Sequence, residues 1–167
     1  MSLKPFKIKE NSFDKLRQNE VKSYSDDTSW SIDKVGEPSI VWNSPMDRLK
    51  LIREGLPFET IDAISKKSAL PIKRVLSFLG LAQTTYNKKK REQVLMDGRD
   101  SELILVLSEV LQLGTEVFNN ESQKFQRWLI KPNPSLGGVT PESLFDSLTG
   151  IEEVKNALYR LEYGNMA

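Results

Sequence analysis

The sequence predicts an all-α fold: a helix-turn-helix unit over residues 45–120, a smaller helical domain over residues 121–167, and an irregular arm over residues 1–44. Three observations carry this expectation. Apolar residues recur at helical spacing from residue 45 onward, capping residues, prolines and glycines interrupt that recurrence at short intervals, and residues 1–44 show no sustained period of either kind.

The arm is polar, with scattered aromatics at Phe6, Phe13, Tyr24, Trp30 and Trp42. Residues 9–19 have the composition of a helical turn or two, and Ser39 to Trp42 that of a brief extended piece before Pro45. Disordered tails are usually poor in aromatics, so parts of this arm are expected to dock on the body.

Ser44 followed by Pro45 fits an N-cap with proline at the first helical position, and Met46, Leu49 and Ile52 then recur until Gly55 ends the first helix. Leu56 and Pro57 open a second, in which Phe58, Ile61, Ala63 and Ile64 line one side before Ser68 and the Pro71 break. A third helix is expected from Ile72 to Leu79 and a fourth from Gln83 through Gln93, with a turn at Asp97-Gly98. Asp100 to Phe118 is the most apolar segment, and so little polar face implies either the central helix of the fold or a dimer surface. Beyond it, Ser122 is expected to cap a helix to Ile130. Pro132, Pro134, Gly137 and Gly138 form a stiff loop, and Thr140-Pro141-Glu142 opens a helix that Gly150 closes. The last helix is expected from Ile151 to about Glu162, ended by Gly164.

The composition narrows the chemistry. Without cysteine there is neither a disulfide framework nor a thiolate metal site, and a reducing compartment is expected. Without histidine the commonest general base near neutral pH and the commonest neutral metal ligand are missing. An enzyme with carboxylate chemistry would need a paired-acid motif, which the sequence lacks. The expectation is a binding protein with no catalytic residues, metal or cofactor. Gly137-Gly138 is followed by no Lys-Ser/Thr and so fits no phosphate loop, while Asp97, Asp100 and Glu102 read as helix N-terminal acids. The start, MSLKPFKIKENSF, lacks the apolar core of a secretory signal. No window approaches the roughly 20 apolar residues of a membrane span, so a cytoplasmic protein with no membrane partner is expected.

Charge is nearly balanced, with 24 basic and 23 acidic residues, so any affinity for nucleic acid must come from local clustering. Residues 45–120 hold the excess, and Lys88, Lys89, Lys90 and Arg91 supply it. That run falls on the second helix of a correctly spaced pair. Val75, Leu76 and Leu79 face inward on the first helix, Gly80 permits a sharp reversal, and Leu81 plugs the angle. On the second, Gln83, Thr84, Thr85 and Tyr86 are of the kind that reach base edges or phosphates, and the four cations can follow the DNA backbone. A charge run elsewhere would read as a solvated face; its place on this helix favours DNA.

The stretch Phe125 to Gly164 resembles the toxin-binding domain of the Xre/MbcA/ParS-type antitoxins. The residues that carry the likeness are Trp128-Leu129, a Pro-Asn element with Leu136-Gly137-Gly138, Pro141, Gly150, and Tyr163-Gly164. The preceding stretch, from Gly55 through Leu113, resembles the family's Xre-like helix-turn-helix. The recognition helix opens Gln83-Thr84-Thr85-Tyr86-Asn87-Lys88 where the family carries Arg-Thr-x-x-Arg-Arg, and Gly98-Arg99-Asp100-Ser101-Glu102 stands in place of an E-S-D-R-like motif.

The resemblance implies a RES-domain toxin, an enzyme that destroys NAD, as partner. It also implies operator DNA as the second partner, repression of a shared operon, and a homodimer. Exposed members of the last helix and tail, Tyr159, Arg160, Glu162, Tyr163 and Asn165, are the candidates for toxin contact, since short ends that project past a final helix can enter a cleft. Trp128, Leu129, Leu136, Leu144, Leu148 and Leu158 read as core. A stand-alone repressor whose C-terminal domain only dimerises remains the alternative.

Overall fold

The computed structural model describes residues 29–34 and 36–164 of the chain. Phe6, Phe13, Tyr24, the candidate helical turn at 9–19, and Asn165 lie outside the described residues.

The described end of the arm docks as a short antiparallel hairpin of β1 (Trp30–Ile32) and β2 (Ile40–Trp42), with Trp30 opposite Trp42 and Ile32 opposite Ile40. The expected extended piece is thus β2, and it has a partner. Strand alternation turns Trp30, Ile32 and Trp42 into the core and leaves Val41 outside. From residue 45 the structure is helical. Helix α1 (Pro45–Glu54) starts where Ser44 accepts a hydrogen bond from the Asp47 backbone N–H at 3.1 Å, and the Asp47 side chain in turn accepts from the Ser44 hydroxyl at 2.8 Å. Helix α2 (Glu59–Ser68) buries Ile61 and Ile64, and α3 (Ile72–Phe78) buries Val75, Leu76 and Phe78. Gly80 follows with φ of 63°, the left-handed conformation that the reversal into α4 (Gln83–Arg91) requires.

Helix α5 (Gly98–Val117) is the central helix. It packs on α1, α2, β1 and the two helices that follow, α6 (Ser122–Leu129) and α7 (Leu148–Gly164), which explains why it is apolar on nearly every side. Its start corrects the expected turn at Asp97-Gly98: the Asp97 side chain accepts from the Asp100 backbone N–H at 2.8 Å, so Asp97 is the N-cap.

The C-terminal stretch differs from expectation in several details. Ser122 is the first residue of α6, after a Glu121 that makes no side-chain cap. The stiff loop contains a 3₁₀ turn at Pro134–Leu136, with Gly137 and Gly138 at φ of 73° and 83°. Pro141–Leu144 forms only a 3₁₀ turn, and Gly150 lies inside the first turn of α7 instead of closing a helix. A Cβ at Gly150 would sit 2.1 Å from the Leu144 carbonyl oxygen, so the glycine serves close backbone approach. Leu148, expected in the core, is exposed at the helix start.

One hydrophobic core runs through the hairpin, the helix-turn-helix helices and the C-terminal elements. Phe78 meets Phe145 edge-on at 4.9 Å, Arg74 Nε donates to Glu142 at 2.7 Å, and Gln126 donates to the Ala69 carbonyl at 3.0 Å. Among the described residues no helix is long and apolar enough to cross a membrane.

Candidate nucleic-acid and partner interfaces

A helix that packs by one side can present only part of a four-residue run outward, because consecutive positions step around the axis by about 100°. On α4 the residues divide accordingly. Thr84, Thr85, Asn87, Lys88 and Arg91 are exposed and share one face. Gln83 is half-buried and donates to the Asn87 side chain at 3.0 Å, which steadies the start of that face. The first turn has no side-chain cap, so its backbone N–H groups add a partial positive charge beside Thr84 and Thr85.

The other side of α4 holds the helix down. Tyr86, grouped by sequence with the DNA-facing residues, is only 2 % exposed, and its ring packs 6.4 Å from that of Phe58. Its hydroxyl is buried without a hydrogen bond of ordinary geometry. Burial first, and the nearby Asp62 carboxylate second, push its pKa up to about 12. Lys89 lies 5.3 Å over the Phe58 ring, and Lys90 lies 5.5 Å over the Tyr86 ring while pairing with Asp62 at 2.5 Å. Asp62 accordingly holds the Lys90 pKa above its ordinary value. Two of the four cations are therefore anchors, and Lys88 and Arg91 are the two aimed at solvent.

Ser101, part of the segment that departs from the family's acidic motif, is fully buried and accepts from the Leu56 backbone N–H at 3.0 Å. Its role is to fix the α1–α2 junction against α5.

At the other end of the chain, Tyr159 is half-buried and stacks on Tyr163 at 6.2 Å and 20°. Tyr163 is 64 % exposed, and Arg160 and Glu162 are exposed beside it. The stiff loop is braced internally, with Asn133 accepting from the Ser135 backbone and hydroxyl, both at 2.9 Å. Trp128 packs against Phe118 and Phe125, in keeping with a core role. Ile130 and Val139 are exposed near this loop. Among the described residues no cluster of three acidic side chains is placed to hold a metal ion.

Sequence reasoning passed over Glu109. It sits in the middle of α5, almost entirely buried, and binds Arg48, Lys155 and the Trp42 indole. A lone acid inside the run Leu103 to Leu113 was the available signal.

Comparison with known proteins yields two adjoining matches. Residues 47–107 match the Xre-like helix-turn-helix domain of antitoxins, and residues 113–164 match the Xre/MbcA/ParS antitoxin C-terminal toxin-binding domain. An antitoxin Xre from Photorhabdus laumondii is 28 % identical over 114 residues, covering 68 % of this chain and 77 % of that protein. A Prs ADP-ribosylating antitoxin from a Sphingobium species is 30 % identical over 132 residues, covering 74 % and 83 % respectively. An antitoxin Xre from Yersinia enterocolitica is 24 % identical over 131 residues, covering 78 % and 86 %.

Proposed function

The chain belongs to the Xre/MbcA/ParS family of antitoxins, and from that premise we propose that it neutralises a RES-domain, NAD-consuming toxin by stoichiometric masking and represses their shared operon as a homodimer. The match to a toxin-binding domain across residues 113–164 carries this reading. It acts by binding, in the cytoplasm, without catalysis of its own.

Labour divides along the chain. Residues 45–120 bind operator DNA. There Thr84, Thr85 and Asn87, exposed on the outward face of α4, read the major groove, and Lys88 and Arg91 contact phosphates; their exposure supports this assignment. Residues 121–167 bind the toxin, with Tyr159, Arg160, Glu162 and Tyr163 at the entrance of its NAD site and Asn165 following them. Aromatic side chains suit such a contact because they bring a large area at little cost in conformational entropy. The name of the Sphingobium relative, which refers to ADP-ribosylation of Prs, accords with a toxin that draws on NAD.

Co-expression with a RES-domain toxin, which the proposal places in an adjacent reading frame, tests the proposal. The expected outcome is a complex on size exclusion and relief of growth arrest. Operator binding without either would instead indicate a stand-alone repressor.

A further inference from the structure

Glu109 is the one charged residue buried among the described residues, at 3 % exposure. Its carboxylate is satisfied from three separate parts of the chain. The Trp42 indole N–H donates from the hairpin at 2.9 Å, Arg48 Nη1 from α1 at 3.1 Å, and Lys155 Nζ from α7 at 3.1 Å. Lys155 also lies 5.4 Å over the ring of Trp30, so the hairpin holds both the carboxylate, through Trp42, and its lysine partner.

Such a cluster contributes little to stability, because desolvating three charges offsets most of their attraction. Its directional bonds do something that apolar contacts do not. Val154, Ala157 and Leu158 bury α7 against the core, but that contact tolerates small rolls and slides of the helix. Three fixed donors on one carboxylate do not. Lys155, Tyr159 and Tyr163 follow one another at intervals of four and so form one stripe. Pinning Lys155 sets the roll of α7 one turn before the stacked tyrosines.

We infer that Glu109, Trp30 and Trp42 are positioning residues for the partner-binding stripe of α7, acting through Lys155. The hairpin precedes both matched domains, and its grip on Lys155 makes it a working part of the partner-binding module. The inference rests on the reading of Tyr159 and Tyr163 as partner contacts, but the clamp itself can be tested without a partner.

Hydrogen exchange on the full-length protein alone is the first readout. Glu109→Gln should raise exchange across residues 148–164 about tenfold, with a matching rise in the hairpin. The second readout is affinity for the purified RES-domain toxin of the proposed function, measured by titration calorimetry. Glu109→Gln and Trp30→Leu should each weaken binding about tenfold, while operator affinity stays within about twofold. A triple variant, Arg48→Leu with Glu109→Met and Lys155→Met, guards against mere unfolding. It should keep the wild-type melting temperature, as apolar replacements of buried ion clusters often do, and still lose toxin affinity. Wild-type exchange in Glu109→Gln, or wild-type toxin affinity in the well-folded triple variant, would overturn the inference. Should the unmodified protein bind no toxin, the proposed function falls, and the exchange result still decides the clamp.

Discussion

The division of the cations on α4 predicts a quantitative difference between two double variants. Lys88 and Arg91 face solvent, whereas Lys89 and Lys90 lie over Phe58 and Tyr86, with Lys90 also paired to Asp62. Each phosphate neutralised on duplex DNA contributes about −0.9 to the slope of log affinity against log salt. In the proposed homodimer, two outward cations per subunit give a slope of about −3.6 from this run, against about −7 if all four engaged phosphates. Affinity should then fall about 150-fold between about 50 and 200 mM salt through these contacts. In fluorescence anisotropy with operator DNA, Lys88→Ala with Arg91→Ala should remove most of that slope and leave thermal stability unchanged. Lys89→Ala with Lys90→Ala should keep the slope and lower stability by about 1 to 2 kcal/mol, since the partly exposed ion pair contributes at most about 1 kcal/mol and each ring contact about 0.5 kcal/mol. If both variants flatten the salt dependence equally, the assignment of anchors and contacts is wrong.

Other predictions concern single positions. Tyr86→Phe should raise the unfolding free energy by up to about 1 kcal/mol in denaturant titration and leave operator affinity unchanged, because it removes a buried hydroxyl that no well-formed hydrogen bond satisfies. The raised Tyr86 pKa gives the sign of a pH effect. The folded protein holds this phenol protonated up to about 12 while the unfolded chain ionises it near 10.0, so its ionisation takes nothing from stability below pH 10.0 and lowers stability as pH rises toward 12. That alkaline loss should shrink in Tyr86→Phe. The Asp47 carboxyl is held below 3.8 by its hydrogen bond from the Ser44 hydroxyl, so its contribution is present above pH 3.8 and disappears as pH falls through the lowered pKa, which NMR titration of wild type against Ser44→Ala would show. Gly150→Ala should cost about 2 to 3 kcal/mol in thermal unfolding, since the new methyl meets the Leu144 carbonyl.

Local chemistry accounts for what the sequence made legible. Ser44 and Pro45 announce the start of α1 because capping needs only neighbouring residues, and Gly80 marks the reversal before α4 for the same reason. The central place of α5 follows from the near absence of a polar face. What escaped depends on distant partners. Three-residue strands carry too little alternation to reveal the pairing of Trp30 with Trp42. Gly150 looks like a helix stop until the Leu144 carbonyl is placed beside it. Tyr86 illustrates an avoidable miss. Four consecutive helical residues cannot all face outward, and Tyr86, one turn before Lys89 and Lys90, was the natural core member.

Stoichiometric masking is the claim on which the rest depends, and inhibition of the toxin measures it most directly. NAD consumption by the purified RES-type toxin should fall linearly as this protein is added and reach zero at a fixed molar ratio. Undiminished consumption in the presence of excess protein would contradict the account.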